Sequence, residues 1–177
     1  MSTTKWVLDP THSEIQFKVK HLKITTVTGY FREFSASAES DDANFSNTKV
    51  SFEAKTASVD TNNADRDNHL RKADFFESDK YPVLKFQSKE MKSAGDETFK
   101  LSGNLTIKDV TNPVTLDVEF GGTNKDPWGN EKAGFSLSGK INRKDWGLNW
   151  NTALETGGVL VSDEVRIFCE IQLVKQA

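Results

Sequence analysis

The chain has 177 residues, with 23 basic and 26 acidic side chains and a formal net charge of −3. This balance argues against a general nucleic-acid-binding protein, which carries an excess of cations on one face. The single cysteine excludes an internal disulfide and any Cys-X-X-Cys metal or redox site. A chain of this length buries about 70% of its unfolded surface as one unit, so we expect a single domain over residues 1–177.

The N-terminal sequence predicts where the protein resides. Residues 1–22 contain several charged side chains and lack the apolar core of a secretion signal. Elsewhere no stretch approaches the roughly 20 apolar residues of a membrane-spanning helix. We therefore expect a cytoplasmic protein without a transmembrane segment.

Alternation of apolar and polar residues with a period of two predicts most of the secondary structure, because such a strand has one dry and one wet face. In chain order the dry faces are Ile15/Phe17/Val19, Val50/Phe52/Ala54, Leu84/Phe86, Phe99–Ile107, Val114–Phe120, Phe135–Ile141 and Val165–Leu173. Turn signals such as Asn112-Pro113 and Gly121-Gly122 separate the strands. The chain is therefore predicted to be all-β, either an antiparallel meander closed into a barrel or a sandwich.

One segment breaks the period of two. Its apolar residues at helical spacing and the stop signal after them are Leu70, Ala73, Phe76 and Tyr81-Pro82. Asn63 or Asp65 could cap the start, so we predict a short helix around residues 65–77 that crosses between two strands. Asp145–Glu155 is a weaker candidate for a single helical turn.

The histidines and the charged run near the predicted helix are the polar groups that could carry chemistry. His12, His21 and His69 lack a second ligand at the spacing of a metal site, so we expect neither metal nor cofactor. The run from Arg66 to Lys72 allows two interpretations. It is either a solvated helix face or a set of cations at the end of a barrel, where they would meet the polar head of a ligand.

Phenylalanines on the dry faces also allow two interpretations. In a small barrel such side chains either fill the interior or line a cavity. The pattern alone permits an apolar tunnel without proving one.

Ten short motifs, in order and with conserved spacing along nearly the whole chain, are similar to those of the YceI-like domain family. They are Trp6–Ser13, Lys20–Leu22, Gly29–Phe31, Ser58–Thr61, Arg66–Leu70, Asp74–Phe76, Tyr81–Ser88, Gly103–Ile107, Arg143–Gly147 and Val161–Val165. The resemblance implies a lipocalin-like, extended, eight-stranded antiparallel β-barrel with a long apolar pore. It also implies a polyisoprenoid ligand such as a prenyl pyrophosphate or a prenylated quinone, no enzymatic activity, and a homodimer.

From the dry faces and this resemblance together we expect a carrier, storage or sequestering protein for an isoprenoid lipid. The predicted pore residues are Phe17, Val19, Phe34, Phe52, Phe86, Leu101, Leu105, Leu116, Val118, Phe135, Leu137 and Ile167. Arg66, His69 and Arg71 are the candidates for contact with the polar head of the ligand.

Three alternatives remain open from the sequence. The first is a protein that binds a fatty acid or fatty amide. The second is an interaction module with a filled core, in which Phe168, on the polar face of its strand, marks a dimer or partner surface. The third is a hydrolase or isomerase that uses Asp67, His69 and Asp145, which is disfavoured because no nucleophile–base pair is visible.

Overall fold

The computed structural model describes residues 3–22, 24–41, 44–150 and 161–176. These residues form eleven strands: β1 (Thr3–Leu8), β2 (Glu14–His21), β3 (Thr25–Phe31), β4 (Phe34–Asp41), β5 (Asn44–Lys55), β6 (Val59–Asp60), β7 (Val83–Gly95), β8 (Thr98–Ile107), β9 (Val110–Lys125), β10 (Glu131–Asn142) and β11 (Glu164–Lys175). One α-helix, α1 (Ala64–Leu70), and three short 3₁₀ helices, Pro10–His12, Thr56–Ser58 and Arg143–Trp146, complete them. No helix within these ranges is long and apolar enough to cross a bilayer.

The strands close into an antiparallel barrel. Following hydrogen-bonded neighbours gives the order β1-β4-β5-β7-β8-β9-β10-β11, and β11 then pairs back with β1 through Leu8↔Leu173. Along one edge of β11, β1 pairs with residues 173–175 and β2 pairs with residues 166–170. β3 pairs with β2, and β6 pairs with β3, so β2, β3 and β6 extend the wall formed by β1, β4 and β5. The eight-stranded barrel predicted from the resemblance is therefore confirmed, and the sandwich is not formed.

Alternation places the side chains as predicted. On β11 the residues of the interior face are Val165, Ile167, Cys169, Ile171 and Leu173. Polar side chains pair across the outer face of the sheet, as Ser102 does with Thr115 on the neighbouring strand. Because side chains alternate between the two faces of a strand, the closed sheet has its apolar face toward the interior and its polar face toward solvent.

The helix is shorter than predicted. Asn63 caps α1 by accepting a hydrogen bond from the Arg66 backbone N–H at 3.0 Å, as the sequence allowed. The helix ends at Leu70, and Phe75 and Phe76 are buried in turns that follow it. The remainder of the predicted stretch 65–77 is held by hydrogen bonds of turns, such as that from the Phe75 N–H to the Lys72 carbonyl at 3.0 Å, and by packing of its aromatic rings.

Two predicted turns are wrong. Asn112-Pro113 and Gly121-Gly122 both lie inside β9, where Pro113 pairs with Asn104 of β8. The register between β9 and β10 shifts beside Gly122, so the two glycines mark a β-bulge within the strand and not a turn. In the predicted segment Asp145–Glu155, the 3₁₀ helix Arg143–Trp146 covers the start, while residues 151–155 lie outside the described residues.

A polar cluster ties the corner between β1 and β2 to the start of β10. The Asp9 carboxylate accepts hydrogen bonds from Lys132 Nζ at 2.7 Å and from the Thr11 hydroxyl at 2.7 Å, and its Oδ2 lies 2.8 Å from His12 Nδ1. The Lys132 hydrogen bond lowers the pKa of Asp9 far below its ordinary value. The ionised form of Asp9 therefore stabilises this end of the barrel.

Candidate ligand-binding cavity

A cavity of about 570 Å³ occupies the interior of the barrel. This volume falls within the range of about 300–1,000 Å³ that is typical of small-molecule sites. Its lining on β11 runs from Val165 to Leu173, which spans about 26 Å of strand at about 3.3 Å per residue. With strands tilted by about 40° in such barrels, the cavity is about 20 Å deep along the axis.

Apolar side chains from most strands of the barrel form the wall. Apart from the five residues of β11 named above, representative members are Ile15 and Phe17 on β2, Phe52 on β5, Phe86 on β7, Leu101, Leu105 and Ile107 on β8, Leu116 and Val118 on β9, and Leu137 and Ile141 on β10. Such a wall excludes water and favours a long hydrocarbon chain, because transferring the apolar surface of the chain out of water is the main favourable contribution to the binding free energy.

Three glycines on the interior face keep the barrel hollow. A Cβ atom at Gly29 would lie 2.2 Å from Phe17 Cζ, and one at Gly103 would lie 2.6 Å from Phe86 Cζ. At Gly139 a Cβ atom would lie 2.5 Å from Cδ2 of Leu116. In each case the neighbouring bulky side chain occupies the space that a Cβ atom at the glycine would fill. These side chains therefore lie against the wall and do not project across the cavity.

Aromatic rings block one end of the cavity, called the closed end below. The Phe45 ring lies 5.0 Å from both Phe120 and Phe135 and 5.6 Å from Trp6, measured between centroids. Both Trp6 and Phe45 are 3% exposed. Rings at these distances and tilts attract each other beyond their burial, so this end is packed solid.

Charged side chains border the opposite end, called the open end below. They are Lys20 and His21 at the end of β2, Asp65, Arg66 and His69 on α1, and Arg143 after β10. Lys20, Asp65 and Arg66 are exposed to solvent as well as bordering the cavity, so the cavity communicates with water here. An amphipathic ligand would accordingly lie with its tail inward and its polar head among these groups.

Arg66 is fixed in place by its neighbours. Its Nε donates to the Thr61 hydroxyl at 2.7 Å, and its Nη2 donates to the Thr61 carbonyl at 2.6 Å. The buried Asp67 carboxylate in turn accepts from the Thr61 backbone N–H at 2.8 Å. These bonds use two of the five guanidinium donors, and the other three have no hydrogen-bond partner among the described residues.

His69 belongs to an aromatic cluster at the open end. Its Nε2 lies 2.9 Å from Asp74 Oδ2, and its ring packs edge-on against Phe75 and Trp150, with centroids 5.2 and 4.8 Å away. The two rings and the Asp74 carboxylate together fix the orientation of the imidazole. Of the residues considered for catalysis, His69 pairs with Asp74 and Asp67 is bound to Thr61, so each is engaged by a different partner.

Arg143 is, with Lys20, a cation of the open end that sequence reasoning missed. It is 3% exposed, and it donates to the carbonyls of Leu148, Trp150 and Ser162 at 2.5, 2.9 and 3.0 Å. Burial lowers the pKa of its guanidinium, an effect that Asp163 opposes, but an arginine stays charged in proteins. The sequence pattern could have located Arg143 at the cavity. Continuing the period of two of the interior residues Phe135, Leu137, Gly139 and Ile141 leads to position 143.

Eleven of the twelve predicted pore residues border the cavity, and Phe34 does not. Phe34 begins β4, just after the bend from β3, and packs on the Phe52 ring with centroids 6.4 Å apart. Among the predicted head-group contacts, Arg66 and His69 border the open end, whereas Arg71 does not. Arg71 instead donates to the carbonyls of Ala57 and Val59 at 2.9 and 3.2 Å, which fastens α1 to the segment before β6.

Two other groups bear on the chemistry of the cavity. Cys169 lies in its wall, and burial raises the pKa of this thiol to about 12, so the group is a poor nucleophile at neutral pH. Within the described ranges, no group of three or more His, Cys, Asp or Glu side chains is placed to hold a metal ion.

Comparison with known proteins gives consistent matches. The model of the YceI-like domain matches residues 6–173. Curated UPF0312 proteins of Staphylococcus epidermidis and Staphylococcus aureus are 42% and 39% identical over 164 residues, which is 92% of this chain and 93% of theirs.

Solved structures share the fold. The YceI protein of Campylobacter jejuni is 38% identical with a TM-score of 0.76, over 89% of this chain and 90% of that chain. BcnA of Burkholderia cenocepacia has a TM-score of 0.80 at 24% identity, over 93% and 98% of the two chains. A polyisoprenoid-binding domain of Saccharophagus degradans has a TM-score of 0.67 at 17% identity, over 97% and 98%.

Proposed function

Because the chain belongs to the YceI-like domain family, we propose that its cavity binds an isoprenoid lipid, either a polyprenyl pyrophosphate or a prenylated quinone. The protein would act as a carrier, storage or sequestering protein for that lipid. The observation that carries this proposal is the cavity itself, which is closed by aromatic rings at one end, apolar along its length and charged at the other end. A polyisoprenoid-binding domain with the same fold supports the ligand class.

The dimensions of the cavity support useful affinity. A depth of about 20 Å accommodates about 15 carbon–carbon bonds, because each bond of ~1.5 Å advances an extended zigzag chain by about 1.3 Å. Burying about 15 methylene equivalents contributes a gross gain of about 12 kcal/mol. Ordering the chain and the lost freedom of the ligand cost several kcal/mol, which leaves micromolar binding or better.

The charges at the open end favour an anionic head. Lys20, Arg66 and Arg143 border the described cavity, against Asp65 as the carboxylate on the same lining. A pyrophosphate head gains charge-assisted hydrogen bonds from Lys20 and Arg66, whereas a quinone would accept only ordinary ones. Arg143 contributes its charge, because backbone carbonyls already engage its donors. This excess of cations favours the prenyl pyrophosphate over the quinone.

Paired arginine variants test this head-group assignment. Arg66→Gln removes a cation that borders the cavity, and Arg71→Gln is the matched control, because Arg71 lies away from it. Titration with geranylgeranyl pyrophosphate should show about a tenfold loss or more for Arg66→Gln, as expected for a charged hydrogen bond, and little change for Arg71→Gln. Geranylgeraniol, which lacks the phosphates, should bind both variants as it binds the wild type. Equal losses for the pyrophosphate and the alcohol would contradict an anionic head at Arg66.

The same cations suit the carboxylate of a fatty acid, which keeps this ligand as the second candidate. Competition between oleate and geranylgeranyl pyrophosphate for the protein separates the two, since the preferred ligand displaces the other. An open volume of about 570 Å³ argues against a merely filled core. Binding rather than turnover is proposed, since His69 and Asp67 are each engaged by structural partners.

A homodimer and a cytoplasmic location remain proposals. Phe168 is 37% exposed on the outer face of β11, with Lys18 Nζ 5.2 Å from its ring centroid, and it is the proposed contact between two copies. Light scattering of Phe168→Asp should give the mass of a monomer; an unchanged dimer would remove Phe168 from the interface. Fractionation of the source cells would test the location.

A further inference from the structure

The turn between β2 and β3 carries two apolar side chains in water. Ile24 is 76% exposed and Leu22 is 37% exposed. The turn is tight, since the Ile24 backbone N–H donates to the His21 carbonyl at 3.1 Å. Large aliphatic side chains on an exposed turn are unfavourable in water, so this pair indicates a surface that meets an apolar partner.

This turn projects from the barrel beside the open end of the cavity. Thr25 and Thr26 follow each other on β3 and therefore point to opposite faces, yet both are exposed. One pair further along the hairpin, Val27 and Val19 both border the cavity. The exposed apolar tip thus lies just beyond the apolar lining, with the polar pairs Lys20↔Thr26 and His21↔Thr25 between them.

We propose that this turn docks the open end onto a lipid bilayer, with Leu22 and Ile24 inserted at the level of the head groups. The inference rests on the proposed function, because a long prenyl chain resides in a bilayer and would otherwise have to cross water to reach the cavity. The exposed Lys20, which borders the open end, would face the phosphates of the lipids. Two aliphatic side chains give weak, reversible attachment, as a protein that must leave again with its ligand requires.

Trp128 supplies a matched control at the other end of the molecule. It lies on the turn between β9 and β10, beyond the closed end, and is 82% exposed. A protein that adheres to membranes through any exposed apolar side chain would depend on Trp128 at least as much as on Ile24. Docking that serves the cavity depends on Ile24 and not on Trp128.

The test uses the full chain as wild type, Ile24→Ser and Trp128→Ser. Flotation with vesicles of phosphatidylcholine, with and without phosphatidylglycerol, measures docking with no prenyl lipid present. Transfer of a fluorescent prenyl lipid between such vesicles then measures delivery. Loss of one buried isoleucine should lower both vesicle binding and transfer rate about tenfold in Ile24→Ser, equivalent to about 1.4 kcal/mol, and Trp128→Ser should match the wild type.

The outcomes separate this inference from the proposed function. Solution binding of geranylgeranyl pyrophosphate should be the same in all three proteins, since neither substituted residue borders the cavity. If none of them binds this pyrophosphate or a prenylated quinone, the proposed function fails, while flotation still decides docking. Wild-type flotation and transfer by Ile24→Ser, or an equal loss in Trp128→Ser, would overturn the docking surface.

Discussion

A methyl group added at Gly139 should weaken ligand binding while leaving the fold almost as stable as before. The new Cβ atom would lie 2.5 Å from Leu116 Cδ2, whereas carbon atoms in ordinary contact are about 3.5–4.0 Å apart. Leu116 must therefore retreat by about 1 to 1.5 Å, and since it borders the cavity, the open space is where it can go. Gly139→Ala thus removes room from the ligand.

The expected magnitudes follow from that displacement. Loss of room for one or two methylene groups costs about 0.8–1.6 kcal/mol of binding, which is about a four- to fifteenfold weaker affinity. For the fold, overpacking costs at least about 1 kcal/mol, and the reduced entropy of the unfolded chain returns about 0.4–1 kcal/mol. We expect a change in unfolding free energy of no more than about 1 kcal/mol.

Gly134→Ala, in the same strand, is the control, because a Cβ atom there would meet nothing within 4 Å. Titration with geranylgeranyl pyrophosphate, followed by tryptophan fluorescence, to which Trp150 at the cavity wall contributes, gives the affinities. Urea unfolding of the ligand-free proteins gives the stabilities. If both variants bind equally well, or if Gly139→Ala loses several kcal/mol of stability, the space beside Leu116 is packed core rather than ligand cavity.

Three further substitutions test the ends of the barrel. Asp9→Asn should lower the unfolding free energy at pH 7 by about 2 kcal/mol. Because the Lys132 hydrogen bond depresses the pKa of Asp9, the difference from the wild type should shrink as the pH falls below the ordinary value of 3.8. A difference in urea unfolding that stays constant with pH would contradict a stabilising role for the Asp9 carboxylate. Arg143→Lys keeps the charge but loses the fork to three carbonyls, so unfolding in urea should show a loss of about 2–3 kcal/mol, and wild-type stability would contradict its anchoring role. Phe45→Ala should cost about 3–5 kcal/mol and extend the cavity through the closed end, so that longer prenyl pyrophosphates gain affinity relative to shorter ones; an unchanged preference for chain length would exclude the aromatic cluster as the stop.

The face of each strand was predictable because side chains on a strand alternate strictly. Val165 to Leu173 on β11 and Leu101 to Ile107 on β8 line the interior as their period of two indicated. Whether that interior is filled or hollow was not predictable in the same way. It depends on which residue lies beside each ring, as in the pair Phe17↔Gly29, and such pairs are set by the register between strands.

The charged groups were harder to predict, since a side chain's position along α1 does not tell what it reaches. Arg66 and Arg71 belong to the same charged run, yet Arg66 borders the cavity while Arg71 donates to backbone carbonyls. Arg143 was hidden because its hydrogen-bond partners are backbone carbonyls, which every residue carries, and because its carboxylate partner, Asp163, lies 3.8 Å away but twenty residues further along the chain. Its place on the interior face of β10 was the available signal.

Native mass spectrometry of the purified protein, followed by organic extraction, would show whether the cavity holds an isoprenoid lipid. We expect one prenyl lipid per chain, either carried through purification or taken up when geranylgeranyl pyrophosphate is added, and extraction identifies its head group. A protein that is empty as purified and gains no mass with added prenyl pyrophosphate or prenylated quinone would contradict the assignment of the cavity to an isoprenoid lipid.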